Sequence, residues 1–282
     1  MNFQTIYKQQ KNIYRNIKRG GFLFSFNKNN DAADELNAPA ADELNAPAAD
    51  KQTELDLSYS GENLEKKITN LEDYKNLQTL YLSGIFINKS NMEMLSTKIE
   101  HLTNLKTLNL YNISRFGDTN PYINILLCKL PKSLKILNLG RNEIKNNLEL
   151  FKIISKLESL EILNLSHNSI NKDGVEELEI IKALNLKNLD LSGNKEITNE
   201  SIPVILKHLP ESLEILNLSS TGIEEDGIEK ILTILKDNDD TKPNLKLTKV
   251  ILNDLDINNE NIRDEKIEKL NQYLKRRQKF IS

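Results

Sequence analysis

The residues of this chain that could carry acid–base, nucleophilic or metal chemistry are few and scattered. His101, His167 and His208 stand far apart, and none has a second His or a Cys at metal-ligand spacing. The single cysteine, Cys128, lies in the apolar run from Ile123 to Leu130 and reads as a buried structural thiol rather than a nucleophile. No glycine-rich phosphate loop occurs. With no set of acid, base and nucleophile, the chain reads as non-enzymatic, with neither metal nor cofactor expected. A different group suits recognition: Tyr59, Tyr81, Tyr111, Arg141 and His167. Tyr and Arg are the residue types most enriched where binding energy concentrates.

These five residues sit inside a recurring frame. Leu-x-Leu or Val-x-Leu pairs begin at Leu55, Leu80, Leu108, Leu137, Leu163, Leu189, Leu216 and Val250, in steps of 25 to 34 residues. The fullest copy holds Leu160, Leu163, Leu165, Asn168 and Ile170 in the spacing Leu-x-x-Leu-x-Leu-x-x-Asn-x-Ile. Alternating leucines predict a short strand with one buried side. At the ninth position an Asn, as in Asn142, Asn168 and Asn194, can satisfy backbone groups where the chain leaves the strand. Ser60, Ile85, Ile113, Thr221 and Leu255 replace it elsewhere. The preceding position varies: Tyr59, Gly84, Asn112, Arg141, His167, Gly193, Ser220 and Asp254. Most outward positions are small and polar. Asn109, Asn138, Asn164 and Asn217 fall between the leucines, and Ser58, Ser83, Ser166, Ser192 and Ser219 follow them; both sets are expected to hydrogen-bond along the sheet. The five departures fall in repeats one to five, roughly 19 Å along a sheet with ~4.8 Å strand spacing.

The rest of each repeat reads as helix. Ile228, Ile231, Leu232 and Leu235 form one apolar stripe. Pro131 and Pro210 stand where a helix must stop. From about Leu55 to Ile257 this pattern resembles the leucine-rich repeat family. Gly174 and Gly227, each placed before a helix, are similar to its ribonuclease-inhibitor-like subclass. The resemblance implies an α/β solenoid of about eight repeats, with a concave parallel β-sheet and convex α-helices. It also implies a non-catalytic scaffold that docks a partner protein on the concave face. Two other roles fit such repeats: a regulator of a nucleotide-binding enzyme, of GTPase-activating or cyclase-regulator type, for which Arg141 is the arginine on that face, and a bacterial effector acting on host proteins. A separate catalytic domain with its own cysteine is not expected in the short stretch after the last repeat.

Composition narrows the partners. Net charge is −3, from 38 basic and 41 acidic residues, which does not favour nucleic acid. One cysteine argues against a disulfide framework and fits a reducing, cytoplasmic compartment, with export into a host cell as the alternative. No apolar run approaches the ~20 residues that span a bilayer. Residues 1–30 form a basic amphipathic segment. Its functional reading is membrane-surface contact by residues 1–26, or a targeting signal; the plainer one is a terminal arm. Residues 31–52 form an acidic flexible linker containing an exact tandem octapeptide at 33–48. Residues 53–258 hold the repeats. Residues 259–282 should form a capping helix through Ile267, Leu270 and Leu274, and the basic run 275–279 reads as its solvated end.

Overall fold

The computed structural model describes residues 49–59, 64–85, 87–113, 122–237, 245–253, 255 and 260–281. The chain divides into two units, Met1–Pro47 and Ala48–Ser282. The amphipathic start, the octapeptide repeat, Ser60 and Asp254 lie outside the described residues.

Eight three-residue strands run in chain order through one parallel sheet: β1 Glu54–Asp56, β2 Thr79–Tyr81, β3 Thr107–Asn109, β4 Ile136–Asn138, β5 Ile162–Asn164, β6 Asn188–Asp190, β7 Ile215–Asn217 and β8 Lys249–Ile251. The register is constant. Leu55 faces Leu80, then Leu108, Leu137, Leu163, Leu189, Leu216 and Val250 in turn. Parallel neighbours require a crossover, and helices supply it: α1 Leu64–Thr69, α2 Lys89–Ile99, α3 Ile123–Leu127, α4 Leu148–Ile154, α5 Lys172–Glu176, α6 Ile202–His208 and α7 Glu225–Asp237. A last helix, α8 Glu260–Ile281, packs on α7 and β8. This is an α/β leucine-rich repeat solenoid, with the inward leucines of every strand and the apolar stripes of the helices in one continuous core.

Each repeat is stapled to the next by asparagine. Asn168 Oδ1 accepts from the backbone N–H groups of Asn142 at 2.9 Å and Ile144 at 3.0 Å. Its amide donates to Leu139 O at 3.1 Å and Leu165 O at 2.9 Å. Asn142 and Asn194 staple the repeats to either side, each donating to two carbonyls and accepting from one N–H, that of Ile113 and of Ile170. Buried peptide groups at the strand exits thus find partners without water. Asparagine also starts the helices. Asn88, Asn147 and Asn171 cap α2, α4 and α5 by accepting from the N–H three residues on.

Four sequence expectations change in the structure. Cys128 is exposed, not buried, because it falls one residue past the end of α3 and its Sγ donates outward to Ile125 O. Arg277 is buried rather than a solvated helix end, donating from Nη1 to Leu245 O at 2.6 Å. It extends the stripe of Leu270 and Leu274 by one further turn. Gly174 and Gly227 lie inside α5 and α7 rather than before them, and a Cβ on Gly227 would stand 2.2 Å from Asn199 Oδ1 of the preceding repeat. The outward asparagines accept within their own turn, from the N–H two residues ahead, as Asn138 Oδ1 does from Gly140 at 2.9 Å, whereas the serines do bond along the sheet, Ser58 Oγ accepting from Ser83 N–H and Ser219 Oγ from Asn253 N–H, both at 3.1 Å.

Candidate functional site

The sheet's outer face is built of four columns. The first, at the strand starts, holds Thr79, Thr107, Ile136, Ile162, Asn188 and Ile215, all half-buried. The second is the column of outward strand ends: Asp56, Tyr81, Asn109, Asn138, Asn164, Asp190, Asn217 and Ile251. The third runs Ser58, Ser83, Tyr111, Gly140, Ser166, Ser192 and Ser219.

The fourth column is a turn that the backbone makes in every described repeat. Tyr59, Gly84, Asn112, Arg141, His167, Gly193 and Ser220 all have φ between +52° and +72°. Each donates its N–H to the third-column carbonyl of the next repeat; Arg141 bonds to Ser166 O at 2.8 Å and His167 to Ser192 O at 2.6 Å. These bonds hold the turn in the left-handed region, which costs a residue with a Cβ roughly 1–2 kcal/mol. Glycine takes it freely, and asparagine and histidine more readily than most, whereas Tyr59 and Arg141 do not. Strain retained at large polar residues is what functional positions show.

Three of the side chains lie down along the sheet on glycines of the next repeat. A Cβ on Gly84 would stand 1.9 Å from the Tyr59 ring, and one on Gly193 would stand 2.4 Å from His167 Nδ1. A Cβ on Gly140 would meet the Tyr111 ring at 3.0 Å. Tyr111 is therefore nearly covered, 9 % exposed, while Tyr59 and Tyr81 are half-buried and Arg141 and His167 are exposed. Burial, with Tyr111 beside it, holds the Tyr59 phenol above its usual range, against the opposing charge of Arg141. Desolvation and the charges of Arg141 and Lys195 hold His167 below its usual range, favouring the neutral imidazole. The structure so joins Tyr59, Tyr111, Arg141 and His167 into one strip along the strand exits, with Tyr81 at the end of β2.

Sequence reasoning missed Lys195, and it missed the half-buried isoleucines Ile136, Ile162 and Ile215. Extending the strand alternation one residue back from each first leucine would have placed the isoleucines outward. Asp190 also belongs to this face. It replaces the asparagine of its column, is 6 % exposed, and accepts from Ser192 N–H at 2.9 Å through Oδ1, while its buried Oδ2 has no hydrogen-bond partner. Burial pushes its carboxyl pKa up. Among the described residues no group of three or more His, Cys, Asp or Glu could hold a metal ion. Among them no helix is long and apolar enough to cross a membrane.

Comparison with known proteins bears on the frame. The Leucine Rich repeat family matches residues 156–178, 182–202 and 210–232. Among 194 matching chains of solved structures is the leucine-rich repeat-containing protein LegL7 from Legionella pneumophila, with a TM-score of 0.50 and 19% identity. That match covers 71% of this chain and 63% of the LegL7 chain, so this chain spans less than two thirds of its neighbour. No curated protein matches the sequence. A fold shared this widely does not fix a function, which has to be argued from the face itself.

Proposed function

We propose that this chain, a leucine-rich repeat protein, is a recognition scaffold whose sheet face docks a partner protein. The observation that carries this reading is the strip of large side chains kept at left-handed turns, Tyr59, Arg141 and His167. Folding alone would favour glycine there, as at Gly84 and Gly193. Half-buried Ile136 and Ile162 stand at the other end of the same face, adding an apolar patch to a polar, aromatic strip. Each turn of it is hydrogen-bonded through its N–H to the next repeat, so little ordering entropy is lost when a partner settles.

Affinity capture with the intact chain beside a Tyr81→Ala, Arg141→Ala, His167→Ala variant tests the proposal, with folding of both checked by circular dichroism. The expected result is a partner held by the intact chain and lost by the folded variant. A partner held equally by both would move the contact off the sheet face.

A further inference from the structure

We propose that the partner contributes an acidic segment, one carboxylate settling among Arg141, His167 and Lys195 while an apolar side chain of the same segment rests on Ile136 and Ile162. This rests on the sheet face being the docking surface, and it adds the chemistry of what docks.

The cations of this strip differ from the lysines that carboxylates hold. Lys135 and Lys187 share Glu161 at 2.6 and 2.7 Å, and Lys266 bridges Glu225 and Glu229 at 2.8 and 2.9 Å. Arg141 and Lys195 are exposed, and neither side chain forms an ion pair among the described residues. Both act on His167, and no carboxylate is among the charges that shift it. Of the nearby acids, Asp190 is buried, while Glu143, placed in its repeat as Lys195 is in its own, and Glu196 share the loops with the two cations. At His167 itself the charges felt are both positive, on a chain whose net charge is −3. An arginine with its fork uncommitted pairs two hydrogen bonds to a carboxylate, and such charge-assisted bonds are the stronger class.

The spacing suits a peptide. Ile136 opens β4 and Arg141 stands in the turn three residues past its end, so five residues at ~3.3 Å each set an upper limit of about 16 Å between them. Outward between them stand Asn138 and Gly140, the latter with the Tyr111 ring laid against it. An extended segment of about five residues bridges that distance, carrying its apolar and acidic side chains at its two ends.

The test is selection of a random displayed-peptide library on the full chain, followed by binding of the enriched peptides to two folded variants. One is Arg141→Glu with Lys195→Glu. The other makes the same charge change on the helix side, Lys182→Glu with Lys236→Glu. The expected result is enrichment of peptides pairing Asp or Glu with an apolar residue, weakened about tenfold or more by the first variant and unaffected by the second. The His167 pKa, followed by NMR, should rise when such a peptide binds. Enriched peptides that lack acidic residues but are lost on Ile162→Asp would overturn the acidic-segment inference and leave the docking surface standing. Peptides indifferent to every sheet-face change, or a library yielding none, would overturn both.

Discussion

Replacing Asp190 by Asn should make this protein more stable, and by an amount that depends on pH. Asp190 sits in a column otherwise filled by Asn109, Asn138, Asn164 and Asn217, whose Oδ1 atoms accept from the N–H two residues on. Its own Oδ1 does the same, but Oδ2 is buried without a partner. An unsatisfied buried polar group costs about 1–3 kcal/mol, and more when charged. Asn keeps the shape and the accepting oxygen and removes the charge, so Asp190→Asn should stabilise by about 1–3 kcal/mol at pH 7. That corresponds to about 2–4 °C in Tm for each kcal/mol in a domain of this size.

The sign of the pH dependence follows from linkage. Burial raises the folded-state pKa of Asp190 above its ordinary 3.8. Below that value both states carry the proton and the neutral acid costs little. As pH rises above it, the unfolded chain gives up its proton while the folded chain holds on, so the wild type loses stability until the folded pKa is passed. The gain from Asp190→Asn should thus be small near pH 4 and grow toward neutrality. Urea unfolding of both proteins at pH 4, 5.5 and 7 measures it. A variant less stable than wild type at pH 7, or a difference that does not change with pH, would refute the reasoning.

Three further outcomes follow from the same geometry. Arg141→Gly should raise stability by up to about 1 kcal/mol in urea unfolding, since relief of the left-handed turn at φ +57° outweighs the added freedom of the unfolded chain, while partner binding weakens. Gly193→Ala should destabilise by about 1–3 kcal/mol and push the His167 ring from its seat, visible as a shifted imidazole NMR signal, because the new Cβ meets both a positive φ and the ring. Arg277→Ala should cost about 1–3 kcal/mol by leaving Leu245 O unpaired beneath α8, with early loss of α8 in hydrogen exchange.

The frame is legible in the sequence because its physics is local and repeated. A leucine that faces inward once faces inward at the same offset seven times, with Val250 the eighth, and the register of the sheet runs through those residues. The strip is legible only in part. Tyr59, Arg141 and His167 stand out as large residues in a small-residue column, yet nothing in their types announces a left-handed turn; Gly84, Asn112 and Gly193 in the same column carry that signal. Ile136 and Ile162 escape because an aliphatic residue beside a leucine pair reads as core. Cys128 is misplaced for the converse reason: its apolar run continues past the point where α3 stops. Arg277 is hidden by its charge, although its spacing from Leu270 and Leu274 is that of a buried stripe.

The most direct test of the docking face is a photo-crosslinking pair. One full chain carries a photo-reactive residue in place of His167, on the sheet face; the other carries it in place of exposed Thr233, on α7. Irradiation with the captured partner should give a covalent adduct from position 167 and none from position 233. An adduct from position 233 with none from 167 would contradict the sheet face as the docking surface.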